Sequence, residues 1–261
     1  MSDASPPRVA DYDRVADGYD HRYSFLRYDG VRETLFEFLG TDRPRTLEVG
    51  CGTGYWMRAA ADRASLLVGM DVSARMLAKA REHGGDARVV RARSEDLPWP
   101  GASFDRIVCV NALHHFSDRA RFFAEARRVL RPGGALLSVG KDPHAERDEW
   151  WVYEYFPETV ALDRARFAQA RILRGELARA GFDWAESFEA DRIEALQPAT
   201  AALSDGTIDP AFTSQLTLLT PDEFDRGVER LRAANAAAGG ALQLITDFRL
   251  YAVVGRLAPA S

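Results

Sequence analysis

Residues 46–54 constrain the fold more than any other part of the chain. They read Thr-Leu-Glu-Val-Gly-Cys-Gly-Thr-Gly, a short apolar segment followed by glycines at positions 50, 52 and 54. Glycines allow a sharp backbone turn with no side chain above it. Residues 55–63 have a helix-forming composition, so the free N–H groups of a helix start would face the same space. A strand, a glycine turn and a helix together predict a nucleotide-type pocket in an α/β protein.

Two acidic residues flank this turn. Glu48 lies inside the predicted strand, where a buried carboxylate is costly unless an arginine or a positively charged ligand meets it. Residues 65–71 predict the next strand and place Asp71 at its end, where a carboxylate can bind a ribose diol. The dinucleotide pattern Gly-x-Gly-x-x-Gly is incomplete, because Tyr55 stands where its last glycine would be.

Further motifs follow the turn in a fixed order, at residues 48–54, 69–73, 95–100, 104–105, 111–116 and 128–134. Their order and spacing resemble the class I S-adenosylmethionine-dependent methyltransferases over roughly residues 8–190. The resemblance implies a Rossmann-like, doubly wound α/β fold. Its seven-stranded sheet would be mostly parallel, with an antiparallel last strand and helical lid insertions.

The resemblance also implies S-adenosylmethionine as the cofactor. The glycine turn and Glu48 would hold its methionine part, Asp71 its ribose, and the region of Ser94 and Glu95 its adenine. Arg93 departs from the family pattern, because an arginine cannot accept a hydrogen bond from the adenine amino group. Adenine recognition then falls to Ser94, Glu95 or the main chain. The predicted cofactor-binding residues are Tyr12, Tyr19, Glu48, Gly50, Cys51, Gly52, Gly54, Asp71, Val72, Met76, Ser94, Glu95, Asn111 and Ala112.

Candidate catalytic residues come from two places. Tyr12 and Tyr19 share one helical face in a segment that resembles the N-terminal lid of the family, and ordinary amphipathic packing is the alternative. His114 and His115 follow the predicted fourth strand, where an acceptor would approach the cofactor. A neutral imidazole there can deprotonate the acceptor, whereas the alternative is a hydrogen bond to a neighbouring loop. The predicted catalytic residues are Tyr19, His114 and His115.

An aromatic run at residues 150–156 predicts the acceptor wall. It lies just beyond the predicted fifth strand, so it could cover the cleft, and core packing of an inserted helix is the equally weighted alternative. The predicted substrate-binding residues are His115, Trp150, Trp151, Tyr153 and Tyr155.

The spacing of apolar residues and the positions of glycine and proline divide the chain into three parts. These are a lid segment at residues 1–28, a core at 29–193 and 241–257, and a helical insertion over the acceptor site at 194–240. Helices are predicted over residues 30–39, 118–130 with Ser117 as N-cap, and 164–180, and strands over 87–92, 104–110, 135–139, 182–193 and 241–257. Thr220 and Glu223 form a capping box with proline at the first helical position, which predicts a helix start inside the insertion.

Composition excludes several classes of function. A net charge of −5 argues against a protein that binds nucleic acid through phosphates. Cys51 and Cys109 are the only cysteines, and the acids around His144 fit no metal-ligand spacing, so neither a disulfide framework nor a metal site is expected. No stretch predicts a signal peptide or a membrane span, which favours a cytoplasmic protein without a membrane partner. The sequence leaves the oligomeric state open.

The expected function is methyl transfer from S-adenosylmethionine to a small-molecule acceptor at oxygen, nitrogen or carbon. Two alternatives stay open: an enzyme of the same fold that uses the bound cofactor in a decarboxylation or pericyclic reaction, and a nicotinamide-dependent oxidoreductase. Two features count against the oxidoreductase: Tyr55, and the antiparallel pairing expected for the last two strands.

Overall fold

The computed structural model describes residues 12–16, 19–21, 23, 26–84, 87–205, 207–210 and 213–260. Much of the predicted lid, residues 1–28, lies outside the described residues. The strands are β1 (Arg45–Val49), β2 (Leu66–Asp71), β3 (Arg88–Arg91), β4 (Phe104–Val110), β5 (Leu130–Lys141), β6 (Glu149–Trp150), β7 (Trp184–Pro198) and β8 (Gln243–Arg256). The α-helices are α1 (Tyr12–Val15), α2 (Asp29–Leu39), α3 (Tyr55–Ala59), α4 (Ala74–Gly84), α5 (Arg119–Val129), α6 (Trp151–Tyr155), α7 (Glu158–Arg166), α8 (Ala170–Arg179), α9 (Ala199–Ala202) and α10 (Pro221–Ala237).

All strands join one sheet. Its main path runs β3-β2-β1-β4-β5-β8, the pairs from β3 to β5 are parallel, and β8 runs antiparallel to β5. β7 pairs along nearly all of β8, and the two-residue β6 adds a short further pairing to it. The order reverses between β1 and β4, so ligands are expected beyond the carboxyl ends of these two strands.

Both faces of the central strands are covered. Along β4, Val108 and Val110 pack into one apolar cluster, whereas Ile107 and Cys109 pack into another. The first cluster includes α2 and the aromatic residues near β6, and the second includes α5 and α8. Burial on both sides explains why residues 107–110 of β4 are all apolar.

The helix after β4 begins one residue later than predicted, and its cap is corrected. Asp118, not Ser117, is the N-cap, because its carboxylate accepts from the Arg121 backbone N–H at 2.9 Å. The Ser117 hydroxyl instead donates to Glu95 at 2.6 Å.

The predicted helix over residues 164–180 is also corrected, since the structure divides it into α7 and α8. The backbone is extended at Phe167 and Gln169, and Phe167 is buried between the two helices. The Asp142 carboxylate accepts from the Ala170 backbone N–H at 3.0 Å, which supports the new helix start.

The strand limits shift at two places. β7 continues to Pro198 because its pairing with β8 continues to Gln243, so the connection between the two strands comprises residues 199–242 and not the predicted 194–240. β5 starts at Leu130, before the predicted 135, with an irregular register opposite β4.

The capping box of α10 is confirmed, with both reciprocal hydrogen bonds between Thr220 and Glu223 present. Within the described ranges, every helix is too short or too polar to cross a membrane.

Candidate active site

The glycine turn is fixed to the end of β2. The backbone N–H groups of Gly50 and Cys51 both donate to the Met70 carbonyl, at 2.8 and 3.0 Å. Gly50, Gly52 and Gly54 have φ of +75°, +51° and +75°, in the left-handed region that favours glycine. The main chain of the turn therefore has a defined position at the carboxyl end of the sheet.

Two of these glycines are required for different reasons. A Cβ at Gly50 would lie 2.3 Å from the Ala112 Cβ, so this glycine allows the turn to approach the chain after β4. A Cβ at Gly52 would meet only a ring atom of Tyr19, at 3.7 Å, and would otherwise project into open space. Gly52 thus leaves bare main chain facing a cleft.

Asp71 closes the edge of this cleft. Its carboxylate accepts from the backbone N–H groups of Gly52 at 3.0 Å and Ser73 at 2.9 Å. Burial raises the pKa of Asp71, and these hydrogen bonds oppose the rise. Each oxygen keeps a lone pair for a ligand, so Asp71 can still accept from hydroxyl groups.

The cleft is a pocket of about 390 Å³, within the size range of small-ligand sites. The predicted cofactor residues that line it are Tyr12, Tyr19, Gly50, Gly52, Asp71, Val72, Met76, Ser94, Glu95, Asn111 and Ala112. His115 and Arg93 also line it. The structure therefore brings most of the predicted set together around one space.

Glu48, Cys51 and Gly54 are not among the residues that line this pocket. Glu48 lies below the turn and is 2% exposed. Cys51 is buried in a small cluster with Met57 and Leu77. Gly54 caps α3, and a Cβ there would lie 3.3 Å from the Ala80 Cβ, so its role is close packing of the turn.

The buried Glu48 carboxyl is electrostatically unfavourable when ionised. Burial, reinforced by the negative charge of Asp71 and opposed by Arg58, raises the pKa of Glu48 to about 8. The Arg58 guanidinium donates to the Thr53 carbonyl at 2.7 Å and to Asp20 at 3.3 Å, so it is shared among several acceptors. A cation bound near Glu48 would favour its ionised form.

The described part of the predicted lid lies across the pocket. Tyr12 Oη is 2.5 Å from His115 Nε2, and the Tyr12 and Tyr19 rings meet edge to face with centroids 5.7 Å apart. The Asp13 carboxylate accepts from the Ser73 hydroxyl at 2.5 Å, and Asp20 accepts from the Thr53 hydroxyl. These contacts attach the segment to the turn and to the two strand ends.

The two neighbouring histidines serve different cavities. His115 lines the large pocket and contacts Tyr12, whereas His114 stacks on Phe167 with ring centroids 3.9 Å apart. His114 lines a second cavity beside β5, and Asn111 lines both spaces. Asn111 has φ of +51°, and its backbone N–H donates to the Val139 carbonyl at 2.8 Å. The chain thus turns at Asn111, between the two cavities.

Comparisons with known proteins agree with this geometry. Residues 47–138 match the family described as "Methyltransferase domain". The demethylmenaquinone methyltransferase of Tropheryma whipplei is 37% identical over 132 residues, which are 48% of this chain and 55% of that protein. The 27-O-demethylrifamycin SV methyltransferase of Amycolatopsis mediterranei is 32% identical over 188 residues, 63% of this chain and 69% of that protein. The chain belongs to the class I S-adenosylmethionine-dependent methyltransferases.

A solved structure supports the same fold. Phosphoethanolamine N-methyltransferase 2 of Haemonchus contortus, in complex with S-adenosyl-L-methionine, superposes with a TM-score of 0.60 at 18% identity. The match covers 95% of this chain and 57% of the nematode protein. The chain spans about half the length of the demethylmenaquinone methyltransferase. The predicted family, Rossmann-like fold and cofactor, S-adenosylmethionine, are confirmed.

The residues of this methyltransferase pocket fit the cofactor in charge and shape. Gly52 leaves the space that a side chain would fill, and Asp71 offers acceptor oxygens at its edge. Glu48 is a buried carboxylate that a cationic amino-acid group would stabilise. At the other end, the Arg93 Nε lies 3.5 Å from Glu95, and Glu95 accepts from the Ser117 backbone N–H at 3.0 Å. Ser94, between Arg93 and Glu95 in the chain, is buried and lines the pocket.

The predicted acceptor wall is mostly part of the core. Trp150, Trp151 and Tyr155 are all buried in the large apolar cluster. Trp150 still lines the second cavity, but Tyr153 and Tyr155 are not among the residues that line it. The Tyr153 hydroxyl instead donates to Asp163 at 2.6 Å. Core packing, the alternative reading of this run, therefore accounts for most of its burial.

Sequence reasoning missed Lys141, which ends β5 and lines the second cavity. The available signal was its rarity, because the chain contains only two lysines, Lys79 and Lys141, among 34 basic residues.

Proposed function

We propose that this chain transfers a methyl group from S-adenosylmethionine to a small-molecule acceptor at oxygen, nitrogen or carbon. The observation that carries the proposal is the pocket formed by the glycine turn and Asp71, which opens toward Asn111 and His115. The two curated relatives named above act, by their names, on demethylmenaquinone and 27-O-demethylrifamycin SV, both small molecules.

When bound, S-adenosylmethionine supplies an electrophilic methyl group on a positively charged sulfur. The residues of this chain then have three tasks. Asp71 binds the ribose hydroxyls, the main chain at Gly52 supports the amino-acid part, and Tyr12 and Tyr19 exclude water from above. Fixing two reactants in line lowers the barrier by about 7–11 kcal/mol, which makes alignment the largest contribution.

Proton removal from the acceptor is assigned to His115. Its ring lines the pocket, and the hydroxyl of Tyr12 at 2.5 Å from Nε2 fixes the orientation of the imidazole. In the tautomer in which Nε2–H donates to Tyr12, the lone pair on Nδ1 can accept the proton of a hydroxyl or amine. His114 faces the second cavity and is assigned to acceptor positioning, and Tyr19 to closure of the pocket.

The acceptor is proposed to enter beside β5 and β6. The connection between β7 and β8, residues 199–242, contributes residues 213–215 to the second cavity, opposite His114 and Trp150. This connection is therefore proposed to cover the acceptor, as expected for the predicted insertion.

The test uses S-adenosylmethionine with a deuterated methyl group. Purified protein is incubated with this donor and a fraction of small metabolites, and the products are analysed by mass spectrometry. We expect one acceptor to gain one deuterated methyl group for each S-adenosylhomocysteine formed, and Asp71→Ala to abolish the gain. A product that loses carbon dioxide or rearranges without gaining the label would show one of the other reaction classes. Failure to bind either S-adenosylmethionine or S-adenosylhomocysteine would refute the proposal altogether.

A further inference from the structure

The second cavity holds a buried charge that the methyl-transfer proposal does not use. The cavity has a volume of about 60 Å³, and Asn111 and Tyr12 line both it and the cofactor pocket. Its walls include Lys141, Trp150 and Phe248. A space of this size can take one end of a molecule whose remainder lies toward the cofactor.

Lys141 lines this cavity, and its ammonium group is buried among aromatic rings. Its side chain is 6% exposed, and Nζ lies 4.0 Å from the centre of the Trp150 ring and 4.5 Å from those of Tyr153 and Phe248. Ring faces attract a cation, so they keep the ammonium in place. Rings do not replace the hydrogen bonds that three N–H donors make in water.

The anionic neighbours pair with Lys141 in charge but do not satisfy these donors. Asp148 Oδ2 lies 3.4 Å from Nζ, but neither atom makes a hydrogen bond within the described ranges. Asp163, in contrast, is fully engaged, since it accepts from Tyr153 at 2.6 Å and from Arg166 at 2.7 Å. A buried donor without a hydrogen-bond partner is destabilising, and a ligand oxygen that reached Nζ would supply the missing partner.

We propose that Lys141 binds an anionic oxygen of the methyl acceptor, either a carboxylate or an ionised hydroxyl group. The inference rests on the proposed function, because the remainder of the acceptor must pass Asn111 to reach the methyl group. The rings around Nζ strengthen the attraction between the ammonium and an anion, since little water screens charges at a buried position. Trp150 and Phe248, whose rings contact the ammonium, also line the cavity. The structure thus selects acidic small molecules over neutral ones.

Burial lowers the pKa of Lys141, and Asp148 opposes the shift. An anion bound beside the ammonium would raise this pKa again, which gives the proposal a signature that does not depend on turnover.

Lysine NMR can read this signature directly, because the chain has only two lysines. Protein grown on lysine labelled with ¹³C gives two sets of Cε signals, and Lys79→Arg assigns them. Lys79 is the internal control, since it pairs with Glu82 at 3.1 Å on helix α4. The probes are benzoate, 4-nitrophenol near and above its pKa, and benzamide as the neutral match, each with and without saturating S-adenosylhomocysteine.

We expect benzoate or 4-nitrophenolate to move the Lys141 signals and raise the pKa of Lys141, with the Lys79 signals unchanged. The arm that responds distinguishes a carboxylate from an ionised hydroxyl. Equal shifts with benzamide would show recognition of shape without charge and would overturn the proposal.

Variants supply an independent measurement. Lys141→Met alone leaves the Asp148 carboxylate buried without its cation, so the double variant Lys141→Met/Asp148→Asn is measured beside it. Loss of a charge-assisted hydrogen bond predicts at least about tenfold weaker binding of the responsive anion. Lys79→Met is the matched control and should bind the anion normally.

The outcomes separate this inference from the proposed function. Normal binding of S-adenosylhomocysteine with no response of Lys141 to either anion would overturn the role of Lys141 and leave methyl transfer standing. Loss of S-adenosylhomocysteine binding by the unmodified protein would instead refute the cofactor assignment itself.

Discussion

The cofactor pocket and the cavity beside Lys141 are built in different ways. The pocket depends on backbone: one glycine turn is held by the Met70 carbonyl, and Asp71 is fixed by two N–H groups. The cavity depends on side chains from distant parts of the chain, among them Lys141, Phe167 and Phe248. Under the proposed function, the donor would be held by the backbone of one turn, whereas the acceptor would be held by side chains that tertiary packing brings together. Five predictions test this contrast, in order of decreasing effect.

Asp71→Ala should weaken binding of S-adenosylhomocysteine about 100-fold, because it removes charged acceptors for two hydroxyl groups. Isothermal calorimetry measures the loss. Asp105→Ala is the control, since Asp105 also accepts a backbone N–H, from Arg45 at 2.8 Å, at the opposite end of the sheet. It should lose stability but not cofactor affinity. An equal loss of benzoate binding in Asp71→Ala would contradict the separation of the two regions.

Gly52→Ala should weaken cofactor binding about 30-fold, because a Cβ would project into the pocket and left-handed backbone costs a non-glycine residue about 1–2 kcal/mol. Gly239→Ala is matched for backbone, with φ of +62° against +51° for Gly52, and lies in open space. Thermal denaturation should show similar losses for both variants. Comparable cofactor affinity in both would mean that the bare main chain at Gly52 is not part of the site.

Cofactor affinity should rise about tenfold per pH unit at most between about pH 6 and pH 8, and then level off. The reason is that Glu48, although outside the pocket lining, has a pKa of about 8 in the free protein, and only its ionised form attracts a cationic group bound at the turn. Calorimetry in buffers of different ionisation enthalpy counts the released proton. Glu48→Gln should bind more weakly at high pH and show a flat profile.

Glu48 should also make the folded protein less stable as the pH rises, whereas cofactor affinity should increase over the same range. Because the folded-state pKa of Glu48 is about 8, above its ordinary value of 4.5, its favourable contribution is complete at low pH and is lost as the pH rises through about 8. Glu48→Gln should therefore raise the melting temperature of the ligand-free protein near pH 8 more than near pH 5. A lower melting temperature at both values would show that the carboxylate is well compensated.

Tyr12→Phe should give the smallest effect, about threefold weaker cofactor binding, because it removes one hydrogen bond and keeps the ring. Stopped-flow release of S-adenosylhomocysteine should be faster by the same factor. Tyr155→Phe, a change in the large apolar cluster, serves as the control and should release the ligand at the normal rate.

The sequence predicted those parts that depend on neighbouring residues. The limits of β4 and the capping box at Thr220 both follow from local geometry. The break at Phe167 could not be predicted, because residues 164–180 have helical spacing throughout and the break is stabilised by Asp142, far away in the chain. His114 and His115 show the same limit, since periodicity cannot say which of two adjacent rings faces which cavity.

Asn111 and Tyr12 line both spaces, and the other walls of the two spaces are separate. A chain divided in this way can exchange the residues around Lys141 and at 213–215 while the turn at Gly50 and Gly52 stays intact. Under the proposed function, acceptor preference should then be open to redesign, by nature or in the laboratory, at little risk to the pocket proposed for the methyl donor.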